Sequence, residues 1–111
     1  MEVPGGHDNK GKVMLYEFFG TAFLTFAALI SLGNPAGVAF TLFAIICFTG
    51  PISGANVNPA VTMGVYISQG TYGKDFAFMV LTMLSQFAGG LLAVLMIWSV
   101  IGSDPPTEWI A

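Results

Sequence analysis

Three long apolar runs constrain the fold of this 111-residue chain more than any other feature. The first, residues 13–32, is as long as the roughly 20 residues that a helix needs to cross about 30 Å of hydrocarbon. The second covers about residues 35–49, and the third, residues 76–101, is long enough to cross with tilt. Runs of this length, separated by short polar segments, predict helices that span a membrane.

The charged residues support a membrane location. They make up 8% of the chain, whereas an ordinary soluble domain has about 25%, and the mean hydropathy is +0.78. Glu17 is the one charged residue inside an apolar run, and the single cysteine, Cys47, is expected in the core. The composition predicts an integral membrane protein in contact with the lipid bilayer. The net charge of −3 argues against nucleic-acid binding, which requires a basic patch.

The two ends of the chain are polar. Residues 1–12 are rich in glycine and are predicted to form a flexible tail. They do not read as a cleaved signal peptide, because the apolar run that follows is longer than a signal sequence allows and contains Glu17. Residues 103–111 are predicted to belong to an outer loop.

A polar segment, SGANVNPAVTMG, interrupts the apolar sequence at residues 53–64. Asn58 followed by Pro59 is typical of a helix start, because asparagine caps free N–H groups and proline is favoured in the first turn. The predicted helix, residues 58–68, would be roughly 16 Å long, about half the hydrocarbon thickness. It is too short to cross and too apolar for water, so we expect it to enter and leave the membrane on one side.

Non-helical backbone at that depth is tolerated only where it is buried in protein or lines a water-filled cavity. Residues 53–57 are therefore expected to line a cavity. The fold class that follows is an all-α integral membrane protein with three transmembrane helices and one re-entrant half-helix. Small residues at four-residue spacing in the third run, Ser85, Gly89 and Ala93, are expected to allow close helix packing.

The lysines predict the orientation in the membrane. With this topology Lys10, Lys12 and Lys74 lie on one side, whereas Asp104 and Glu108 lie on the other. The positive-inside rule then places the N-terminus in the cytoplasm, or the equivalent compartment, and the C-terminus outside.

The polar segment resembles the first signature of the major intrinsic proteins, the aquaporins and glycerol facilitators. SGANVNPAVT matches the usual S-G-A/G-H-x-N-P-A-V-T, except that Asn56 stands where the family has histidine. EFFGT at residues 17–21 is similar to the family's first-helix motif, and SQFAGG at residues 85–90 is similar to its third-helix motif. The order of two spans, a half-helix and a span is that of the family's first half.

This resemblance implies a fold of six spans and two half-helices, built as an inverted repeat, of which this chain holds one repeat. It also implies a partner, a second aquaporin half that is missing here or carried by a separate chain, and assembly into a tetramer or larger membrane complex. Two identical copies could complete a pore only by inserting in opposite orientations, and the lysine distribution argues against that arrangement.

The candidate pore motif is Asn58, Pro59 and Ala60. A helix N-terminus carries roughly half a positive charge, and at the centre of a pore it repels protons and other cations while neutral molecules pass. We expect Asn58 to cap the half-helix through its side-chain oxygen and to direct its amide N–H groups into the pore. In the family such a contact is thought to interrupt a chain of hydrogen-bonded water.

The other candidate site residues lie on the pore wall and around it. The carbonyl groups of Gly54, Ala55 and Asn56 are expected to offer a ladder of acceptors to the permeating molecule. In the family the position of Glu17 holds a buried acid that braces a pore-loop backbone. Val38 matches the second-span position of the family's outer constriction, where valine would make the rim wide and apolar.

Two functions remain open at this stage. The favoured one is half of an aquaporin-type channel that passes water or small neutral solutes by facilitated diffusion and excludes protons and ions. The alternative is a non-conducting, aquaporin-like structural subunit, which the short connection at residues 33–35 and the short second span favour. An interfacial peptide is excluded, because no segment is strongly amphipathic and cationic. No Ser/His/Asp or Cys/His arrangement lies in the apolar runs, so we expect no enzyme activity, metal site or cofactor.

Overall fold

The computed structural model describes residues 9–102, which form four α-helices and no strand. The helices are α1 (Lys10–Ile30), α2 (Pro35–Ser53), α3 (Pro59–Gln69) and α4 (Tyr72–Ile101). By length and composition α1, α2 and α4 can cross a membrane, whereas α3 has 11 residues. The predicted fold class, three transmembrane helices and one half-helix, is confirmed.

The helix α1 lies in the middle of the bundle, with α2 on one side and α4 on the other, and α3 packs on α4. The first two helices are antiparallel, since Gly20 in the middle of α1 faces Ile45 and Thr49 late in α2, whereas Ser31, directly after α1, lies beside Gly37 at the start of α2. In contrast, α1 and α4 are parallel, because the Lys10 ammonium nitrogen lies 5.5 Å from the ring centroid of Phe78. The described lysines therefore lie at one end of the bundle.

The start of α1 differs from the prediction. Residues 10–12 belong to the helix rather than to a tail, and the cation–π contact of Lys10 with Phe78 fastens this first turn to α4. The helix ends at Ile30, before the predicted end of the span. The rest of the predicted tail and the predicted outer loop, 103–111, lie outside the described residues.

The start of α4 also precedes the predicted one. The helix begins at Tyr72, because the Thr71 hydroxyl donates a hydrogen bond of 2.6 Å to the Asp75 carboxylate, and an acid in the first turn suits the helix dipole. Lys74 and Asp75 are consequently helical, so Glu17 is not the sole ionisable residue within the long helices.

The helix α2 runs to Ser53, beyond the predicted end at residue 49, and contains Pro51. A proline this close to the end interrupts little of the hydrogen-bond ladder, and Gly54 then ends the helix in a left-handed conformation with φ of 88°. With 19 residues, about 28 Å, α2 is long enough to span the membrane. Cys47 is exposed, so its expected place in the core is wrong.

The contact between α1 and α4 depends on one glycine. A Cβ atom on Gly89 would overlap the carbonyl oxygen of Phe18 and lie 3.1 Å from the Ala22 nitrogen. Ala93 is also buried on this face. Ser85 is not, because its hydroxyl is turned to the Leu81 carbonyl at 2.9 Å, so the predicted stripe of small residues holds for two of its three members.

We expect Gly89→Ala to destabilise the packing of α1 on α4. The added methyl group forces the two backbones apart, at a cost of about 1–3 kcal/mol. The free energy of unfolding, measured by denaturant titration in detergent micelles with circular dichroism, checks this.

Gly90→Ala is the matched control, because a Cβ atom there meets only the Thr25 hydroxyl oxygen, at 3.9 Å. Equal stability of the two variants would contradict the close approach at Gly89.

Candidate pore site

The segment 54–58, which we call the pore loop, connects α2 to α3 and reaches the centre of the bundle. Val57 fills the space left open by Gly20, since a Cβ atom on Gly20 would lie 2.7 Å from the Val57 Cγ1 atom. Gly20 is the middle residue of α1. Because α1 is a membrane span, the pore loop ends near the centre of the bilayer.

From that point α3 returns to the end at which α1 and α4 begin. Tyr66, in its last turn, packs with Val13 of α1 and with Phe78 and Met79 of α4. The Tyr66 hydroxyl donates to the Tyr72 carbonyl across the α3–α4 turn. The half-helix therefore starts at mid-membrane and leaves by the lysine end.

The backbone of the pore loop is strained. Ala55 and Val57 have φ angles of 55° and 43°, in the left-handed region that side chains rarely adopt and that is least favourable for β-branched residues. Such conformations cost about 1–3 kcal/mol each and persist only where the surroundings hold them.

Glu17 supplies much of that support. Its side chain is fully buried, and its carboxylate accepts from the Asn56 N–H at 3.0 Å and from the Val57 N–H at 2.7 Å. The Gln86 side-chain amide donates to it at 2.9 Å. Three donors satisfy a charge that would otherwise be costly inside a membrane.

Two further side chains complete what we call the buried network, formed by Glu17, Asn56, Thr62 and Gln86. The Thr62 hydroxyl oxygen accepts from the Gln86 amide at 2.8 Å and from the Asn56 amide at 3.2 Å. Thr62 is fully buried and Gln86 is 1% exposed. The network joins α1, the pore loop, α3 and α4.

Sequence reasoning assigns no role to Thr62 or Gln86, although both lie in the family motifs. Gln86 could have been recognised from the sequence, because an amide in the middle of an apolar span needs a buried partner. The role of Thr62 was harder to recognise from the sequence, since a threonine in a first helical turn usually bonds to its own backbone.

The hydrogen bonds to Glu17 determine where two carbonyl groups of the pore loop point. In a trans peptide the N–H and C=O groups point in opposite directions, and residues 9–102 contain no cis peptide. Because the N–H groups of Asn56 and Val57 point to Glu17, the carbonyls of Ala55 and Asn56 point away from it.

The third carbonyl follows the same rule. The Ala55 N–H donates to the Ser53 hydroxyl at 3.2 Å, which turns the Gly54 carbonyl away from Ser53. Within residues 9–102 no hydrogen bond ends on the carbonyls of Gly54, Ala55 or Asn56. A run of three consecutive acceptors is therefore left for other molecules.

Asn58 caps α3 through its side-chain oxygen, which accepts from the Ala60 N–H at 2.7 Å. The side chain is exposed, and its amide nitrogen donates to no group within the described part of the chain. Pro59 occupies the first helical position. The N-terminus of α3 therefore presents the unused side-chain amide N–H groups of Asn58 near the centre of the membrane.

Val38 is the one predicted site residue that the structure does not bring to this loop. It lies in the first turn of α2, where its N–H donates to the Asn34 carbonyl at 3.1 Å. This turn is at the end of the bundle opposite the lysines, and no contact described for residues 9–102 joins Val38 to the pore loop.

A groove with a volume of about 430 Å³ lies along α1 and α4 beside Pro59. Thr21 and Gln86 are among its lining residues, but the Thr21 hydroxyl oxygen and the Gln86 carbonyl oxygen are themselves buried and make no hydrogen bond within the described residues. Both side chains are more than nine-tenths buried. The other lining residues are small or apolar: Thr25, Phe87, Gly90, Leu91 and Val94.

The fold and this loop define an integral, multi-pass membrane protein with a re-entrant helix. Residues 30–108 match the family model for the major intrinsic proteins. Aquaporin-1 from Rhizophagus irregularis is 37% identical over 68 residues, an alignment that takes in 55% of this chain and 25% of that protein. No solved structure matches significantly. The chain therefore belongs to the major intrinsic protein family, as its resemblance predicted, and its match spans a quarter of the length of this curated relative.

We expect Glu17→Gln to destabilise the protein by about 3 kcal/mol, since the new amide group cannot accept from every donor that now faces Glu17 and leaves a buried N–H unpaired. Denaturant titration in detergent micelles measures this.

Thr49→Val is the control, because Thr49 is equally buried but bonds to the Ile45 carbonyl of its own helix. A Glu17→Gln variant as stable as the control would show that Glu17 does not support the loop.

Proposed function

We propose that this chain is one half of an aquaporin-type channel, which passes water or small neutral solutes by facilitated diffusion and excludes protons and other ions. The observation that carries this proposal is the opposite orientation of N–H and C=O groups along the pore loop. The N–H groups of Asn56 and Val57 turn to Glu17, and the carbonyls of Ala55 and Asn56 turn away. Members of the family are channels rather than enzymes, which agrees with this proposal.

The carbonyls of Gly54, Ala55 and Asn56 form the acceptor wall of the pore. They follow one another along the chain, and no hydrogen bond within residues 9–102 uses them. A permeating molecule with O–H groups exchanges its hydration for these carbonyls as it moves, which is how a pore lining lowers the barrier for a neutral solute.

Asn58, Pro59 and Ala60 form the central selectivity element. The start of α3 carries partial positive charge, which repels cations near the bilayer centre. The Asn58 amide N–H groups hold the oxygen of a passing water and orient it, so that water cannot relay a proton through this point. Glu17 contributes indirectly, because it keeps the loop in place.

The two ends of the channel differ in charge. Lys10 and Lys74 lie at the same end of the bundle, which supports a cytoplasmic N-terminus under the positive-inside rule. Val38 lies at the other end, where we place the outer rim and where valine leaves the entrance wide and apolar.

The groove beside Pro59 supports a second aquaporin half as partner, on the same polypeptide or on a separate chain. The groove runs along α1 and α4 beside the start of α3, and its lining of mostly small and apolar side chains suits a packed helix. The completed channels then assemble as tetramers or into a larger complex.

A non-conducting structural subunit is the second candidate function. The tight α1–α2 connection, residues 31–34, favours it, because an ordinary channel has a longer outer loop there. The length of α2 no longer favours it, since the helix is long enough to span the membrane.

Replacing Asn58 with aspartate tests the channel. In the complete channel, reconstituted into liposomes, Asn58→Asp is expected to raise cation leak and to slow the flux of water and neutral solutes, since a carboxylate attracts the cations that the amide and helix dipole reject. Stopped-flow light scattering measures the flux, and a fluorescent dye measures the leak.

Asn34→Asp is the matched control, because Asn34 also caps a helix in front of a proline but lies far from the pore loop. Cation leak in Asn58→Asp equal to that of this control would show that Asn58 does not exclude cations. Wild-type flux no faster than in protein-free liposomes would favour the structural subunit.

The partner proposal predicts that the protein purified from its source membrane has an intact mass near twice the 11.7 kDa of this chain, or co-purifies with a second chain that supplies the other half. Gly90→Leu is expected to weaken the fit to that half by filling the groove, and native mass spectrometry in detergent measures the association.

Gly64→Leu is the control variant, since Gly64 is exposed on α3 and does not line the groove. A native protein of 11.7 kDa without a partner, or equal association of both variants, would contradict this arrangement.

A further inference from the structure

Asn56 has two attachments to the protein, one through its main chain and one through its side chain. Its N–H donates to Glu17 of α1 at 3.0 Å, and its side-chain amide donates to Thr62 of α3 at 3.2 Å. These anchors lie on different helices, so together they hold the Asn56 Cα atom in place between α1 and α3.

The strain of the pore loop lies on both sides of this residue. Ala55 and Val57 have positive φ angles, whereas Asn56 between them does not. Rotation of the peptide between Asn56 and Val57 by half a turn would bring Val57 to a negative φ and relieve its strain. The same rotation would turn the Asn56 carbonyl toward Glu17 and the Val57 N–H toward the open side.

We propose that Asn56 is a positioning residue, whose side-chain bond to Thr62 keeps the pore loop in the conformation that presents carbonyls, rather than N–H groups, on its open side. The side-chain amide acts through Thr62 and is not itself the group that meets the solute. The effect on permeation rests on the channel function proposed above, whereas the effect on the loop does not.

The buried network makes this attachment firm. Both N–H groups of the Gln86 amide are used, one on Glu17 and one on Thr62, so Gln86 fixes the position of the Thr62 hydroxyl relative to α1. Thr62 is therefore a rigid acceptor for Asn56, and not a surface hydroxyl that rotates freely.

Histidine, the residue that the family usually has here, keeps the same bond. Its Nδ1 atom occupies the place of an asparagine δ atom, one bond beyond Cγ, and in one tautomer it carries a hydrogen. We therefore expect Asn56→His to hold the loop as asparagine does, and Asn56→Ala to release it.

Hydrogen exchange of the Val57 amide measures this directly. In the full chain in lipid nanodiscs, Asn56→Ala is expected to raise the exchange rate of this amide at least tenfold, because the released peptide exposes it to water. Asn56→His is expected to remain within twofold of the wild type. NMR of the labelled amide gives the rate for each variant.

Thr82→Val is the control for general destabilisation, because Thr82 is equally buried but bonds to the Phe78 carbonyl of its own helix. Thr62→Val and Thr62→Ser form a second pair, which carries the test if Asn56→Ala does not fold. The valine variant loses the acceptor and is expected to exchange faster, whereas the serine variant keeps it.

The inference is overturned if the Val57 amide exchanges within twofold of the wild type in folded Asn56→Ala, or if Thr82→Val raises the rate as much. Faster exchange in Asn56→Ala that Asn56→His reverses supports it, whether or not the wild type conducts. In liposomes that hold the complete channel, neutral-solute flux is expected to be lower in Asn56→Ala than in Asn56→His, and loss of wild-type flux would count against the channel alone.

Discussion

The structure depends on one carboxylate placed near the centre of a membrane. Glu17 accepts three N–H groups from the pore loop and from α4. Without it the N–H groups of Asn56 and Val57 would have no partner, and the Gln86 amide would keep only its bond to Thr62. Inside hydrocarbon no water replaces such bonds. The direction of the Ala55 and Asn56 carbonyls and the place of Val57 against Gly20 therefore depend on this one side chain.

The fold class could be predicted from sequence because a membrane leaves few alternatives. Apolar runs of the observed lengths can only span, and a segment as short as α3 can only enter and return. The helix ends were less predictable, because they depend on particular contacts. Tyr72 begins α4 through the Thr71–Asp75 bond, and Lys10 begins α1 where it meets Phe78. Neither contact leaves a pattern in the apolar runs.

The candidate site likewise contains residues that the sequence predicts and residues that it does not. The sequence of the pore loop marks Asn58 and Pro59 as a helix start, and Glu17 is conspicuous as a charge inside a span. Thr62 and Gln86 become part of the site only when the faces of α3 and α4 are known, since each is an ordinary polar residue by itself. The inward turn of the Asn56 side chain is likewise a property of the assembled helices.

During biosynthesis Glu17 enters the membrane without its hydrogen-bond partners. Its partners lie 39, 40 and 69 residues later in the sequence, so α1 is made before any of them exists. A carboxylate at the centre of an inserting helix costs about 2.5–3.5 kcal/mol, and each leucine or phenylalanine returns about 0.3–0.6 kcal/mol. The apolar residues of α1 therefore have two tasks in succession: they first carry an unpaired charge into the bilayer, and they later pack against α2 and α4.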